Sequence, residues 1–170
     1  MLNSNDRLIA LDTPVARASA AVAAGDALAL FGAVDDFAAE GLGQALCTVN
    51  RFDAARMGVT RLYSSNPQAY PPGGSKDKLG TDWGRHVLIE KRVYVGEGIT
   101  AIRAAFDDHA AITALGLQSV INVPVQVAGN VVGTFNVLMT QATLGPEHVT
   151  HARLAALMAV PGFMLLNRQA

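Results

Sequence analysis

Cysteine is nearly missing from this chain: Cys47 stands alone among 170 residues. One cysteine excludes an intramolecular disulfide, a CxxC redox pair and a cysteine-based zinc motif. An excess of either charge is missing too. The formal net charge is −1, and no lysine or arginine run occurs, so nothing electrostatic points to nucleic acid or to an anionic membrane. The stretch Met1-Leu2-Asn3-Ser4-Asn5-Asp6-Arg7 lacks the basic start and apolar run of a signal peptide. No run of about 18 uncharged apolar residues reads as a membrane span, and the charge-poor run Ala18 to Leu30 is broken by Gly25-Asp26. The expected location is the cytoplasm, and no cofactor or metal is expected. Internal repeats and low-complexity tracts are also lacking.

What is present is apolar and alanine-rich. Hydrophobic residues make up 51% of a chain whose length suits one core. Thr13-Pro14 reads as an N-cap followed by proline at the first helical position. The alanine-rich sequence after it favours helix to about Leu30. A second helix is predicted from Val34 to Leu46, where Val34, Phe37, Ala38, Gly41, Leu42 and Ala45 recur at three- and four-residue steps. The period then shortens. Cys47 to Phe52 and Gly58 to Ser64 read as strands around Asp53-Ala54-Ala55-Arg56. Ser65 to Gly80 is polar and rich in proline and glycine, a long loop of the kind that forms binding loops and lids. A short helix from Thr81-Asp82 to His86, a strand within Val87 to Val95, and a helix from Ile99 to Leu115 with a break near Ala105 to Ala110 follow. Pro146 starts a final helix to about Asn167 that Pro161-Gly162 should kink or interrupt.

The hairpin Ser119–Val127 and Val131–Met139 carries the most information. Side chains on a strand alternate between faces. Ile121, Val123, Val125, Val127, Val131, Gly133, Phe135, Val137 and Met139 give an apolar or small odd face. The even face is mixed and holds Asn122 and Asn136. A three-residue loop Ala128-Gly129-Asn130 keeps odd facing odd and sets Asn122 opposite Asn136, whereas a two-residue loop mixes the sets. The odd face should pack on the long helices, and the even face should look into something partly polar. Two buried amides need partners, which a ligand or the backbone of a covering loop can supply.

Phe106-Asp107-Asp108-His109, then Leu115 to Val125 with its Ser119-Val120-Ile121-Asn122-Val123-Pro124 core, then Gly129 to Leu138, resemble the C-terminal half of a GAF domain. Thr48-Val49-Asn50-Arg51-Phe52 and Gly58 to Ser64 are similar to that family's first two strands. The resemblance spans about Val34 to Met164. It implies an α+β, GAF/PAS-like fold: a central antiparallel sheet of five or six strands, long terminal helices on one face, and a pocket of loops and short helices on the other. Residues 1–170 then form a single GAF-type domain, with 1–33 a helical extension and 34–168 the core. Bilin-binding members attach the chromophore through a pocket cysteine, for which Cys47 is poorly placed. The methionine sulfoxide reductases of this fold use several cysteines, and the cyclic-nucleotide pattern is not met by Asn50-Arg51-Phe52-Asp53.

The resemblance implies a sensor or regulatory domain for a small polar, anionic or aromatic metabolite. The implied partners are a second copy through the alanine-rich terminal helices, and a separate signalling protein for output. Arg61, Tyr63, Tyr70, Trp83, His86, Phe106, Asp107, His109, Asn122 and Asn136 are the candidate ligand-binding residues. Arg61 suits a carboxylate clamp or a solvated sheet edge. Tyr63, Tyr70, Trp83 and Phe106 are four of ten aromatics, either pocket walls or loop packing. An enzyme on the same fold would use His109, Asp108 and His86 for acid–base chemistry on a small carbonyl or amide compound; Asp107 and Asp108 read equally as helix caps. A dimerising adaptor without a ligand is the remaining alternative. Glu147-His148-x-x-His151 lacks metal-site spacing, and Gly73-Gly74-Ser75-Lys76 lacks that of a phosphate loop.

Overall fold

The parity of the central hairpin organises the molecule. In the computed structural model, which describes residues 12–167, strands β5 (Ser119–Val127) and β6 (Asn130–Met139) pair with Asn122 opposite Asn136 and Val123 opposite Phe135. This is the expected register, reached by a different route. The turn is the two-residue Ala128-Gly129, both at positive φ (48° and 79°), as a tight hairpin turn requires. Val127 therefore pairs with Asn130, and a bulge at Val125/Gln126 moves the register by one before Val125 meets Gly133. The extra residue restores the face that a two-residue turn alone would scramble.

The full sheet has six antiparallel strands in the order β3-β2-β1-β6-β5-β4. The others are β1 (Leu46–Asp53), β2 (Gly58–Ser64), β3 (Ser75–Asp77) and β4 (Tyr94–Glu97). Strand β3 lies inside the segment predicted as loop and pairs with β2. Strand β4 starts later than expected, because Arg85–Ile89 forms a π-helical turn after the single helical turn α3 (Asp82–Gly84). Helices α4 (Gly98–Ala105) and α5 (His109–Ala114) are separated at Phe106-Asp107-Asp108, where a break was predicted.

Helices α1 (Pro14–Ala24) and α2 (Ala27–Leu42) divide at Gly25-Asp26, not between Leu30 and Val34. Gly25 takes the left-handed C-cap, and Asp26 caps α2 by accepting from the Ala29 amide at 2.9 Å. Helix α2 thus runs unbroken across residues 33 and 34. The last helix, α6 (Pro146–Asn167), is continuous through Pro161. Proline removes one backbone bond there; packing of Ala155, Ala156, Ala159, Gly162 and Phe163 into the core keeps the helix whole. By length and composition α6 could cross a membrane, but this small-residue face is occupied by the sheet and α2.

The odd face and the terminal helices share one core, in which Phe31 of α2 meets Phe163 of α6 with ring centroids 5.5 Å apart. A β-carbon on Gly162 would stand 2.5 Å from the Phe31 ring, so this crossing has room only for glycine. The even face is covered by loops and short helices through two smaller clusters, one around Leu46, Ile102, Ile112 and Leu138 and one around Val59, Trp83 and Val87.

Candidate functional site

Between those two clusters lies a cavity of about 70 Å³ on the even face. Its floor is polar. Trp83 Nε1 donates to Asn122 Oδ1 at 2.9 Å, and Asn122 Nδ2 donates to Asn136 Oδ1 at 2.9 Å. Asn136 Nδ2 reaches the Thr48 carbonyl, Thr48 Oγ1 and Thr134 Oγ1 at 3.1–3.3 Å. The asparagines therefore have protein partners, and they align the indole as one wall. The apolar walls include Leu46, Val59, Phe106, Ile112, Val120 and Leu138.

The mouth is cationic. Arg61, Lys76 and Lys78 line it with one carboxylate, Asp108. Arg61 comes from β2, where Nη1 donates to the Pro71 carbonyl at 2.9 Å and the guanidinium carbon stands 5.0 Å from the Tyr70 ring centre. Lys76, on edge strand β3, places Nζ 2.7 Å from Asp108 Oδ2. Lys78 is only 8% exposed, and its Nζ lies 4.9 Å from the Trp83 ring centre, a cation–π distance. Burial lowers the pKa of both Arg61 and Lys78, with Lys76 adding like-charge repulsion on Lys78. Burial works to raise the Asp108 carboxyl, but the hydrogen bond and charge of Lys76 outweigh it and hold the net value below the usual range. Tyr70 is pushed up to about 12, by burial first and then by the Asp108 charge.

Buried polar atoms without a partner are rare in folded proteins. Among the described residues six occur, and four of them line this one cavity: Asn50 Oδ1, Arg61 Nε, Tyr70 OH and Asp108 Oδ1. Asn50 Oδ1 offers an acceptor and Arg61 Nε a donor to whatever occupies the space, while Tyr70 OH lies close to the Asp108 carboxylate, which helps raise its pKa, without a hydrogen bond of good geometry between them.

Arg61, Tyr70, Trp83, Phe106, Asn122 and Asn136 all line this cavity, and Asp108 joins them. Tyr63 does not. Val49 pairs with Tyr63 but Asn50 with Arg61, so Leu62 is an extra residue that reverses parity. Tyr63 thus turns to the helical face, where its hydroxyl donates to Asp35 Oδ2 at 2.8 Å. His86 and Asp107 line a second, wider groove of about 710 Å³ that shares the Trp83 wall. There His86 Nε2 bonds the Val93 carbonyl at 3.0 Å. His109 opens α5, lines neither hollow and makes no side-chain hydrogen bond among the described residues. His109, Asp108 and His86 are therefore not brought together as an acid–base group. Asp108 sits at the N-cap of α5 but makes no side-chain cap bond; its carboxylate goes to Lys76 instead.

Asn50, Lys76 and Lys78 are site residues the sequence reading missed. The even parity of Asn50 on β1 was a usable signal, since it shares a face with Asn136. Cys47 has odd parity, is fully buried and has its thiol pKa pushed well up by burial and by Asp35; it faces away from the cavity. His148 and His151 diverge, His148 to Gln141 and the Gly145 amide, His151 onto the Phe37 ring and carbonyl. No group of three metal-ligating side chains occurs among the described residues.

With this geometry the chain is a GAF-fold domain, as its structural neighbours show. Residues 122 to 287 of a methyl-accepting chemotaxis protein match with a TM-score of 0.68 at 20% identity, over 89% of this chain and 98% of that one. The GAF domain of an Acinetobacter phosphoenolpyruvate-protein phosphotransferase matches at 0.64 and 12% identity, over 100% and 98%. A phycoerythrobilin-bound GAF domain of a cyanobacterial phytochrome matches at 0.62 and 12%, over 91% and 96%. No family model and no curated protein matches the sequence.

Proposed function

We propose that this chain is a cytoplasmic sensor or regulatory domain that binds a small polar metabolite in the even-face cavity. One observation carries the reading: four of six unpartnered buried polar atoms converge on one space. Each costs about 1–3 kcal/mol if left unmet, which supports an occupant that meets them. Structural neighbours that include sensor histidine kinases support a signalling role. Native mass spectrometry of gently purified protein tests it. The expected result is a small bound mass that Arg61→Met removes. Trp83, the only tryptophan, should change its emission when that mass is lost. The reading falls if the wild-type protein carries no bound mass and its Trp83 emission ignores a panel of polar, anionic and aromatic metabolites.

We propose further that the domain works as a homodimer through α6. Leu154, Leu157 and Met164 are 47%, 66% and 43% exposed. With Pro161 they follow three- and four-residue steps along one stripe, the spacing of a helix–helix seam. Output would pass to a separate signalling protein. Light scattering of wild type should give a two-chain mass, and Leu157→Glu a one-chain mass at equal concentration. Equal masses for both proteins would remove the α6 seam from the interface.

A further inference from the structure

We infer that the cavity takes a short-chain monocarboxylate, whose acid group displaces the Asp108 carboxylate from Lys76 and so opens the strap across the mouth. This inference rests on the cavity being a ligand site and adds the ligand's class and the response of the protein.

Charge is the first argument. Three cations line the mouth against one carboxylate. Lys78 is nine-tenths buried and has no hydrogen-bond or ion-pair partner among the described residues. An ammonium on a mostly buried side chain with no anion beside it favours an incoming one, and a π face only partly meets that demand. Arg61 adds an unpartnered Nε, one prong of the fork that binds carboxylates.

Shape is the second argument. About 70 Å³ is room for roughly five water-sized groups at ~10–15 Å³ each, about the heavy-atom count of propionate, so the acid must be small. Beyond the cations the walls are Leu46, Ile112 and Leu138, which suits a short apolar tail and not a second charge.

The strap is the third. The 2.7 Å pair Lys76–Asp108 ties the edge strand β3 to the start of α5. Asp108 already behaves as an internal carboxylate bound to Lys76, yet its Oδ1 has no partner. An incoming carboxylate competes for the same lysine. Its binding would release the α4–α5 connection, a movement that a partner protein can read.

Titration of wild type, Asp108→Asn and Lys78→Met with acetate, propionate and butyrate, and with propionamide as the neutral isostere, tests this through Trp83 emission and thermal shift. Propionate should bind wild type at least tenfold tighter than propionamide. Asp108→Asn should bind propionate about tenfold tighter than wild type, because the internal competitor is gone. Lys78→Met should lose binding and still melt cooperatively. If propionamide binds as well as propionate, the ligand site stands and the carboxylate class is overturned. If Asp108→Asn weakens propionate binding, Asp108 holds the ligand and the exchange is overturned. If none of the three acids binds wild type or Asp108→Asn, the carboxylate class falls, while a small bound mass removed by Arg61→Met would still uphold the ligand site.

Discussion

Gly133→Ala should lower the unfolding free energy by about 2–3 kcal/mol, the range for overpacking a filled core. For a chain of this size that is a drop of roughly 4–12 °C in melting temperature. Gly133 lies on β6 with its missing side chain aimed at the helical face. A β-carbon there would overlap both the Asn50 carbonyl on β1 and the Phe163 ring on α6. The carbonyl is backbone in a paired strand and cannot yield; the ring is packed against Phe31 and can yield only by shifting α6. Phe163→Leu in the same chain should therefore relieve part of the penalty, and the two substitutions should couple by at least about 0.5 kcal/mol. Strict additivity in calorimetry would show that the ring is not what the new methyl meets. A neutral Gly133→Ala would show that β1 and β6 stand further from α6 than described.

Gly133 also shows what the sequence reveals and where it stops. Its place in the odd, helix-facing set follows from alternation alone, because burying one face of a sheet leaves a period of two in the residues. The six-stranded antiparallel order and the helical cover on the odd face agree with that reading. Bulges are invisible to it. Leu62 and the bulge at Val125/Gln126 each insert one residue without changing composition, yet each reverses every side chain beyond it. Tyr63 was lost from the site for this reason, and the correct hairpin register arose with a shorter turn than expected.

Helix breaks were legible only where capping chemistry was weighed above composition. Alanine continues on both sides of Gly25-Asp26, so content alone favoured an uninterrupted helix. The left-handed Gly25 and the Asp26 cap decide the boundary. The cationic mouth was hidden for a related reason. Lys76 and Lys78 sit in a stretch whose prolines and glycines mark it as loop, and β3 is only three residues long. Pairing to β2 is a long-range event that no local pattern reports. The histidines mislead in the opposite sense: His86 and His109 have the right chemistry, but the π-helical turn and the start of α5 carry them away from the cavity.

The asparagine ladder carries the second large effect. Asn122→Leu should cost about 2–4 kcal/mol, since it strands two buried groups at about 1–3 kcal/mol each, less some gain from burying an apolar side chain. The stranded groups are Trp83 Nε1, which donates to Asn122 Oδ1, and Asn136 Oδ1, which accepts from Asn122 Nδ2. Replacing both asparagines removes the second orphan together with its partner. The double variant Asn122→Leu/Asn136→Leu should therefore be more stable than the sum of the single changes predicts, by roughly 1–2 kcal/mol. The Trp83 indole loses its acceptor in Asn122→Leu and in the double variant but keeps it in Asn136→Leu. Its emission should shift in the first two and stay near wild type in the third. Denaturant melts of the four proteins, read at Trp83 and by circular dichroism, check both statements. Additive losses would mean that each amide is satisfied independently. An emission shift in Asn136→Leu as large as that in Asn122→Leu would mean that the ladder positions the indole as a unit, and the wall of the cavity would then depend on Thr48 and Thr134 as much as on Asn122.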